Sequence, residues 1–270
     1  MYKEFYHFKE NPFNITSDPD FIFSSQGHTE AFSHLIYGIN HRKGIIVITG
    51  EIGTGKTTLC RTLLNRLDVK TKTALILNPS FSDLQLLQLI LKDLGIRPTA
   101  KNKFSLIDTL NEFLILETNK GHNVVIIIDE AQNLKVKQLE QIRLLSNLET
   151  AKDKLLQIVL VGQPELLDKL KLESLRQLNQ RVAVRYHLLM LNRKEMEEYI
   201  YHRISIALSA DAKNKLKFTE KALDLIFENS KGTPRMVNVL CDRALLAGFA
   251  LETFTIDEKI IHKCIEEVMV

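Results

Sequence analysis

Before Asn192, short runs of β-branched and other apolar residues alternate with longer stretches whose apolar positions recur at helical spacing. A fully apolar run is typical of a strand buried on both faces, whereas the longer period is typical of an amphipathic helix. The runs that predict strands are Ile45–Thr49, Thr73–Leu77, Val124–Ile128, Leu156–Val161 and Ala183–Leu188. Strands that alternate with helices predict an α/β protein with a parallel sheet covered by helices on both faces.

The helical stretches carry recognisable start signals. Ser82 precedes a helix predicted for Asp83–Leu94, and an S-x-x-D capping box at Ser105 predicts the start of the next helix, Ser105–Lys120. Helical periodicity also predicts helices at His28–His41 and Leu175–Val182. These helices would cover the sheet.

From Asn192 onward the pattern predicts helices only. Asn192 and Thr219 cap two of them, Thr233-Pro234 begins a third, and a last helix is expected over Asp257–Val268. We therefore divide the chain into an N-terminal arm with its leading helix (residues 1–43), an α/β nucleotide-binding domain (44–191) and a small helical lid (192–270).

The most informative stretch is Ile45–Thr58, IIVITGEIGTGKTT, which contains the phosphate-loop pattern G-x-x-x-x-G-K-T directly after a predicted strand. Glycines let successive N–H groups converge on a triphosphate at the start of the next helix, where the helix dipole also favours an anion. Lys56 would bind the β and γ phosphates, and the hydroxyl of Thr57 would bind Mg²⁺. The residues predicted to contact ATP or ADP are Gly50, Glu51, Ile52, Gly53, Thr54, Gly55, Lys56, Thr57 and Thr58.

Polar residues also follow two later strands. Asp129 and Glu130 come directly after VVIII, which predicts that Asp129 binds Mg²⁺ and that Glu130 orients or deprotonates the attacking water. Gln163 follows LQIVLV, where it would reach that water or the γ phosphate, or else form an ordinary turn. The order of the Asp129-Glu130 pair after a complete phosphate loop favours the catalytic interpretation of these two acids.

Three arginines are candidates for contact with an anion. Arg235 lies in the first turn of a predicted lid helix, which is an unfavourable place for a cation unless it faces a negative charge. Arg176 and Arg181 lie on the helix predicted for Leu175–Val182, and either would also suit a solvated surface.

The first 27 residues are rich in aromatic side chains. Such an arm would pack its rings on the core. Because it precedes the phosphate loop, it would alternatively close over the adenine, with Pro12 and Phe13 as the candidate contacts.

Composition excludes several classes of protein. A net charge of +3 gives no bulk electrostatic argument for nucleic-acid binding. The three cysteines are widely spaced, which argues against a disulfide framework or zinc site and suits a reducing cytosol. The N-terminus lacks a secretory signal pattern and no apolar run is long enough to span a bilayer, so we expect a cytoplasmic chain without a membrane span.

These motifs resemble those of AAA+ ATPases, and more narrowly those of the general secretion pathway protein A family, which includes pilus-biogenesis ATPases. The segments that carry the resemblance are MYKEFYHFKENPFNITSDPDFIF, GEIGTGKTTLCRTLL, IIIDEAQNL, LVGQPEL, LNQRV and GTPRMVNVLCDRAL. Secretion-system members typically continue into a membrane-spanning helix and a periplasmic domain, so membrane anchoring and cell-wall binding are not carried over to these residues. A stand-alone protein and an excised ATPase domain both remain compatible with the sequence.

The resemblance implies specific roles. Gly50–Thr57 would be the Walker A loop, Asp129 and Glu130 the Walker B pair, Gln163 sensor 1 and Arg235 sensor 2. Arg181 in LNQRV would be the arginine finger that acts on ATP held by a neighbouring subunit, although the sequence does not decide among Arg176, Arg181 and Arg185. Hydrolysis would then depend on a homo-oligomeric ring or filament.

The leading functional hypothesis is an ATP-driven assembly motor for a secretion or pilus apparatus, at the inner face of the membrane through its partners. The alternative is a DNA-binding regulatory ATPase similar to transposition helpers, for which Lys135, Lys137 and Arg143 would contact duplex DNA. A solvated helix face is the favoured interpretation of those three residues. A small-molecule kinase is less favoured because it leaves Arg181 and the lid without a role.

Overall fold

The computed structural model describes residues 2–16, 18–97, 102–150, 153–209 and 215–268. Their contacts divide the chain into two compact units. The sheet unit consists of Gln26–Glu51 and Leu59–Leu188. The arm–lid unit consists of Met1–Ser25, Ile52–Thr58 and Leu189–Val270.

The secondary structure agrees closely with the alternation of strands and helices in the sequence. The strands are β1 Ile45–Gly50, β2 Thr71–Ile76, β3 Asn123–Ile128, β4 Gln157–Gly162, β5 Val182–Leu188, β6 Lys217–Phe218 and β7 Thr255–Ile256. The α-helices are α1 Tyr2–Phe5, α2 Gln26–Asn40, α3 Lys56–Arg66, α4 Asp83–Asp93, α5 Lys103–Asn119, α6 Val136–Leu145, α7 Glu165–Leu170, α8 Arg176–Arg181, α9 Arg193–Ala207, α10 Glu220–Ser230, α11 Pro234–Ala250 and α12 Glu258–Val268.

The sheet unit contains a five-stranded parallel sheet in the order β2-β3-β4-β1-β5. Every residue of β1 and β4 is buried, whereas β2 and β5 at the edges alternate between buried and more exposed positions. Because the central strands β1 and β4 are buried on both faces, their sequences are continuous apolar runs.

Helices cover both faces of this sheet. Ile45 and Val47 of β1 point to the face covered by buried residues of α4, α5 and α6, while Ile46 and Ile48 point to the face covered by α2 and α3. Successive side chains of a strand point to opposite faces, so one apolar run supplies both cores. The predicted doubly covered parallel sheet is confirmed.

Two predicted details are wrong. Helix α5 begins at Lys103, not at Ser105, because the side chain of Asn102 accepts a hydrogen bond from the Ser105 amide at 2.9 Å and caps the helix earlier. The region after Asn192 is not purely helical, because β6 and β7 form a short parallel pair. Two-residue strands are too short to produce a recognisable alternation in the sequence.

In the arm–lid unit, Tyr6, Phe8, Phe13 and Phe21 of the arm are buried in one apolar core with residues of α9 to α12. The structure thus places the arm and the lid helices in one compact unit, whereas the sequence-based division at residues 43 and 191 separates them. That division into domains remains a prediction. The aromatic rings account for the difference, since they pack on the helices of this unit.

A buried arginine fixes the backbone of the arm. The Nε of Arg203 donates to the carbonyl of Pro12 at 2.5 Å, and its other nitrogens donate to the Asn14 carbonyl at 3.2 Å and the Tyr199 hydroxyl at 3.0 Å. The guanidinium also lies 4.7 Å from the ring centroid of Phe21. These contacts satisfy a buried cation with several acceptors and an aromatic face.

Within the described residues, no helix combines the length and the apolar character needed to cross a bilayer.

In the sheet unit, the buried carboxylate of Glu117 near the end of α5 accepts from His122 Nδ1 at 2.7 Å and from Lys120 Nζ at 2.6 Å. Because a carboxylate only accepts hydrogen bonds, Nδ1 of His122 is the donor. These bonds, first that from His122 and then that from Lys120, lower the pKa of Glu117 below its ordinary value of 4.5. They therefore stabilise the folded state while Glu117 is ionised.

We expect Glu117→Gln to lower the free energy of unfolding at pH 7 by about 1–3 kcal/mol, because charge-assisted hydrogen bonds are lost. The contribution of an acid with a lowered folded-state pKa is present above 4.5 and is lost as the pH falls below that value. Urea unfolding of the parent and the variant over a pH series measures this difference. The exposed Glu112 on the same helix provides a matched Glu→Gln control. A difference that persisted unchanged at low pH would contradict the assignment.

Candidate functional site

Three sequence-predicted residues lie at the carboxyl edge of the central sheet. Gly50 ends β1, Asp129 follows β3, and Gln163 follows β4. Because β4 pairs in parallel with both β1 and β3, these three strand ends are neighbours at one edge. Ligands of open parallel sheets bind at this edge.

Asp129 is a buried carboxylate with a fixed backbone. It is 1% exposed, its amide donates to the Ile76 carbonyl at 2.8 Å, and its Oδ1 accepts from the Glu130 amide at 2.9 Å. The bond to Ile76 continues the pairing of β3 with β2 by one residue. The position of Asp129 is therefore set by the sheet itself.

Glu130 adopts a left-handed backbone conformation, with φ of 54° and ψ of 36°, directly before a 3-10 turn at Ala131–Asn133. A non-glycine residue in this conformation costs about 1–2 kcal/mol and is found where the chain must turn sharply. The turn redirects the chain at the end of β3. It separates the side chain of Glu130 from that of Asp129, which remains buried.

The Glu130 carboxylate takes part in an amide network that sequence reasoning missed. Its Oε2 accepts from Gln132 Nε2 at 2.5 Å and from Gln163 Nε2 at 3.3 Å. Gln132 also accepts, through Oε1, from the backbone amide of Gln163 at 3.0 Å. Gln132 lies in the segment IIIDEAQNL, but nothing in that segment indicates its contact with Gln163, which follows a different strand.

The phosphate loop has the backbone that its sequence predicts. Gly53 and Gly55 have φ of 81° and 94°, a left-handed region that glycine adopts without a steric penalty. Lys56 is the first residue of α3 and is only 6% exposed, and Thr54 is fully buried. The loop thus leads into a helix N-terminus, which favours an anion.

The remaining loop residues differ in exposure. Thr57 and Thr58 are partly buried in the first turn of α3, whereas Glu51 is exposed and the apolar side chain of Ile52 is 59% exposed.

Within the arm–lid unit, the phosphate loop contacts the start of α11. The amide of Arg235 donates to the Gly53 carbonyl at 3.3 Å, and a Cβ at Gly53 would lie 2.7 Å from the Cβ of Arg235 and 3.0 Å from Thr233 Cγ2. Glycine is therefore required at position 53 for two reasons, its positive φ and the lack of space. The sequence-predicted residue Arg235 lies beside the phosphate loop.

The three arginines around α8 differ in their partners. Arg185 donates to the carbonyl and the side chain of Asn179 at 2.7 and 2.6 Å, and Arg176 pairs with Glu173 at 3.4 Å. Arg181 is exposed, and its hydrogen bond to Ser146 Oγ is long, 3.4 Å. Arg181 is thus less tightly held than Arg185.

Pro12 and Phe13 are both buried in the arm–lid unit. The carbonyl of Pro12 accepts from Arg203, and the ring of Phe13 belongs to the apolar core that the arm shares with the lid helices. Their predicted contact with adenine remains a prediction.

Two of the three cations considered for duplex DNA are engaged with carboxylates. Arg143 pairs with Glu140 at 2.6 Å, its side chain is 14% exposed, and the hydrogen bond with Glu140 raises its pKa above the ordinary value. Lys137 pairs with Asp83 at 3.5 Å but is well exposed, and Lys135 is exposed. A surface of this kind offers less free positive charge than the sequence indicates.

The residues present fit a magnesium nucleotide. A glycine-rich loop with two left-handed turns, followed by a buried lysine at a helix N-terminus, is suited to phosphate groups. Each unit offers an oxygen donor of the kind that Mg²⁺ prefers, the Thr57 hydroxyl in the arm–lid unit and the buried carboxylate of Asp129 in the sheet unit.

The parallel sheet, the phosphate loop and the Asp129-Glu130 pair define a P-loop protein of the AAA+ class, and residues 39–170 match the AAA domain family. The ORC2 protein of Aeropyrum pernix, solved in ADPNP-ADP complexes, is similar with a TM-score of 0.72 and 19% identity, covering 96% of this chain and 72% of that one. The Drosophila ORC bound to DNA is similar with a TM-score of 0.69 and 16% identity, covering 100% of this chain and 65% of that one. At these identities the likeness shows the fold.

Sequence similarity extends the comparison beyond the AAA domain. The chain is 41% identical, over 97% of its length, to General secretion pathway protein A of Aeromonas hydrophila. It spans 47% of the length of that relative. The resemblance to this group of AAA+ proteins that the sequence motifs indicate is confirmed.

We expect Gly53→Ala to destabilise the protein more than Gly95→Ala does. Both glycines have nearly the same positive φ, 81° and 82°, but a Cβ at Gly95 meets no atom within 4 Å, whereas one at Gly53 meets Arg235 and Thr233. Backbone strain alone costs about 1–2 kcal/mol, and overpacking adds about 1–3 kcal/mol. Denaturant unfolding of the two variants measures the difference, and equal losses would show that the loop does not contact α11 in solution.

Proposed function

We propose that this chain binds ATP with Mg²⁺, hydrolyses the ATP, and forms a homo-oligomer, either a ring or a filament, that drives assembly of a secretion or pilus apparatus. The observation that carries the proposal is the common sheet edge at which β1 leads into the phosphate loop while the neighbouring strands lead to Asp129, Glu130 and Gln163. Phosphate-binding and water-activating groups belong together in an enzyme that hydrolyses a nucleoside triphosphate.

In this proposal the backbone amides of residues 50–58 hold the phosphates, and Lys56 neutralises charge at the β and γ phosphates. Thr57 and Asp129 are the residues that would bind the metal ion. When bound, Mg²⁺ would neutralise negative charge on the phosphate oxygens. The position of Lys56 as the first residue of α3, directly after the glycine-rich loop, supports its role, because a helix N-terminus favours an anion.

Glu130 is the proposed general base. Its carboxylate would accept a proton from the water that attacks the γ phosphate, and Gln163 would hold that carboxylate or the water. The hydrogen bond from Gln163 Nε2 to Glu130 Oε2 supports a shared role for the two residues.

Arg181 is the proposed arginine finger, supplied to the nucleotide of a neighbouring subunit. Its exposure and the length of its hydrogen bond to Ser146, 3.4 Å, support this choice over Arg185, which the carbonyl and the side chain of Asn179 hold at 2.7 and 2.6 Å. Arg235 is proposed to contact the phosphates from the first turn of α11, and Pro12 and Phe13 to contact the adenine. An arginine acting in trans makes hydrolysis depend on assembly.

The proposed partners are secretion or pilus assembly proteins at the cytoplasmic face of the inner membrane. The similarity to General secretion pathway protein A over nearly the whole chain supports this assignment. A DNA-binding regulatory ATPase is the second candidate, favoured by the fold likeness to an ORC structure bound to DNA. The pairing of Arg143 with Glu140 argues against it.

We expect Lys56→Ala to reduce ATP hydrolysis by about 100-fold or more, because a positive charge at the transferred phosphate is lost. Phosphate release at saturating ATP is the measurement. Lys194→Ala, at a well-exposed lysine of α9, is the matched control and should hydrolyse ATP like the parent. Parent-like hydrolysis by Lys56→Ala would refute the assignment of the phosphate loop.

We expect Glu130→Gln to bind ATP while hydrolysing it about 10²- to 10⁴-fold more slowly, because an amide does not act as a general base. The ATP-bound state then persists, so light scattering should report a larger mass with ATP than with ADP. The measurement is repeated with duplex DNA at two salt concentrations. Assembly with ATP alone supports the protein-assembly role, whereas assembly that requires DNA and weakens with salt supports the DNA-binding alternative. Hydrolysis at the parent rate would show that Glu130 is not the base.

A further inference from the structure

We propose that Gln132 is a positioning residue that fixes the carboxylate of Glu130 and couples it to the end of strand β4. This inference rests on the proposed role of Glu130 as general base. It concerns a residue that neither the phosphate loop nor the Asp-Glu pair of the sequence accounts for. Its basis is that the side-chain amide of Gln132 donates a hydrogen bond to Glu130 and accepts one from Gln163.

The orientation of the Gln132 amide is determined by its two partners. The Glu130 carboxylate only accepts, so Nε2 of Gln132 must point to it, at 2.5 Å. The backbone N–H of Gln163 only donates, so Oε1 of Gln132 must point to it, at 3.0 Å. One side-chain amide thus bridges the proposed base and the backbone at the end of β4.

The bonds anchor one oxygen of Glu130 and leave the other available. Both Gln132 Nε2 and Gln163 Nε2 donate to Oε2, and among the described residues no hydrogen bond is found to Oε1. Fixing Oε2 restricts rotation of the carboxylate. The structure therefore assigns Oε1 as the oxygen that accepts a proton from water.

The space for the Gln132 side chain depends on a glycine. A Cβ at Gly162, the last residue of β4, would lie 2.9 Å from Gln132 Oε1 and 3.2 Å from the Gln132 backbone nitrogen. Gly162 does not have a positive φ, so close approach and not backbone conformation requires glycine here.

A lysine fixes the backbone that carries Gln132. Nζ of Lys169, on α7, donates to the carbonyl of Gln132 and, at 3.0 Å, to the carbonyl of Leu134. These charge-assisted bonds satisfy one carbonyl in the 3-10 turn and one directly after it, and they restrict movement of the turn. Gln163 lies directly after β4, and Lys169 lies on α7, the next helix. The side chain and the backbone of Gln132 are therefore both held by this one strand–helix segment.

Gln132→Met tests the inference, because methionine keeps an unbranched side chain of similar length without the amide. We expect kcat for ATP hydrolysis to fall about 10- to 100-fold, the loss typical of a misplaced catalytic group, with KM for ATP within about threefold of the parent. A second readout does not depend on hydrolysis: the backbone amide of Gln163, which loses its acceptor, should exchange with deuterium faster than in the parent.

Gln88→Met is the matched control, since Gln88 lies partly buried on α4 and no side-chain hydrogen bond to it is found among the described residues. It should match the parent in both readouts. Gly162→Ala should reproduce the effects of Gln132→Met, because its methyl group displaces the Gln132 side chain. In the Glu130→Gln background, Gln132→Met should cause little further loss of hydrolysis, since the base that it positions is already absent.

The outcomes separate the inference from the proposed function. If the parent hydrolyses ATP, Lys56→Ala does not, and Gln132→Met retains the parent kcat, then the positioning role is refuted while the ATPase assignment stands. If Gln132→Met instead raises KM with kcat unchanged, Gln132 acts in binding and the inference is also wrong. A parent without any ATPase activity refutes the proposed function, and the role of Gln132 with it.

Discussion

The parallel pairing of β4 with both β1 and β3 is the constraint on which the rest of the sheet unit depends. Parallel strands in one sheet end at the same edge, so pairing alone brings Gly50, Asp129 and Gln163 together although they are far apart in sequence. Buried strands must satisfy every backbone group through this pairing, because no water reaches them. The register that stabilises the core therefore also positions the candidate site.

Polar groups at this edge are held by specific partners. Glu130 follows a buried strand in a left-handed conformation, and its carboxylate is bonded by two amides instead of a cation. Neutral donors fix the position of a carboxylate without placing a positive charge beside it, so the group remains an acceptor of further bonds. Lys169 donates to the backbone carbonyls of Gln132 and Leu134, not to the carboxylate.

The arm–lid unit is stabilised by an aromatic core and a buried arginine. Its core contains the aromatic residues of the first 25 residues, and Arg203 satisfies backbone carbonyls of the arm from within that core. The same unit contains the contact between Gly53 and the first turn of α11. Residues from the two ends of the chain and from the phosphate loop are thus packed together, which explains why the arm is rich in aromatic side chains.

The sequence by itself determined the features whose cause is local. Continuous apolar runs predict the buried strands, the spacing of glycines and Lys56 predicts the phosphate loop, and Asp-Glu after VVIII predicts the acidic pair, because each depends on neighbouring residues. Only the tertiary structure decided which distant residues meet. The side chain of Gln132 accepts a hydrogen bond from the residue that follows β4, and the space beside Gln132 requires glycine at position 162. Strands β6 and β7 pair although they are far apart in sequence. The segments IIIDEAQNL and LVGQPEL are recognisable separately, but neither segment indicates which residues of the other it contacts.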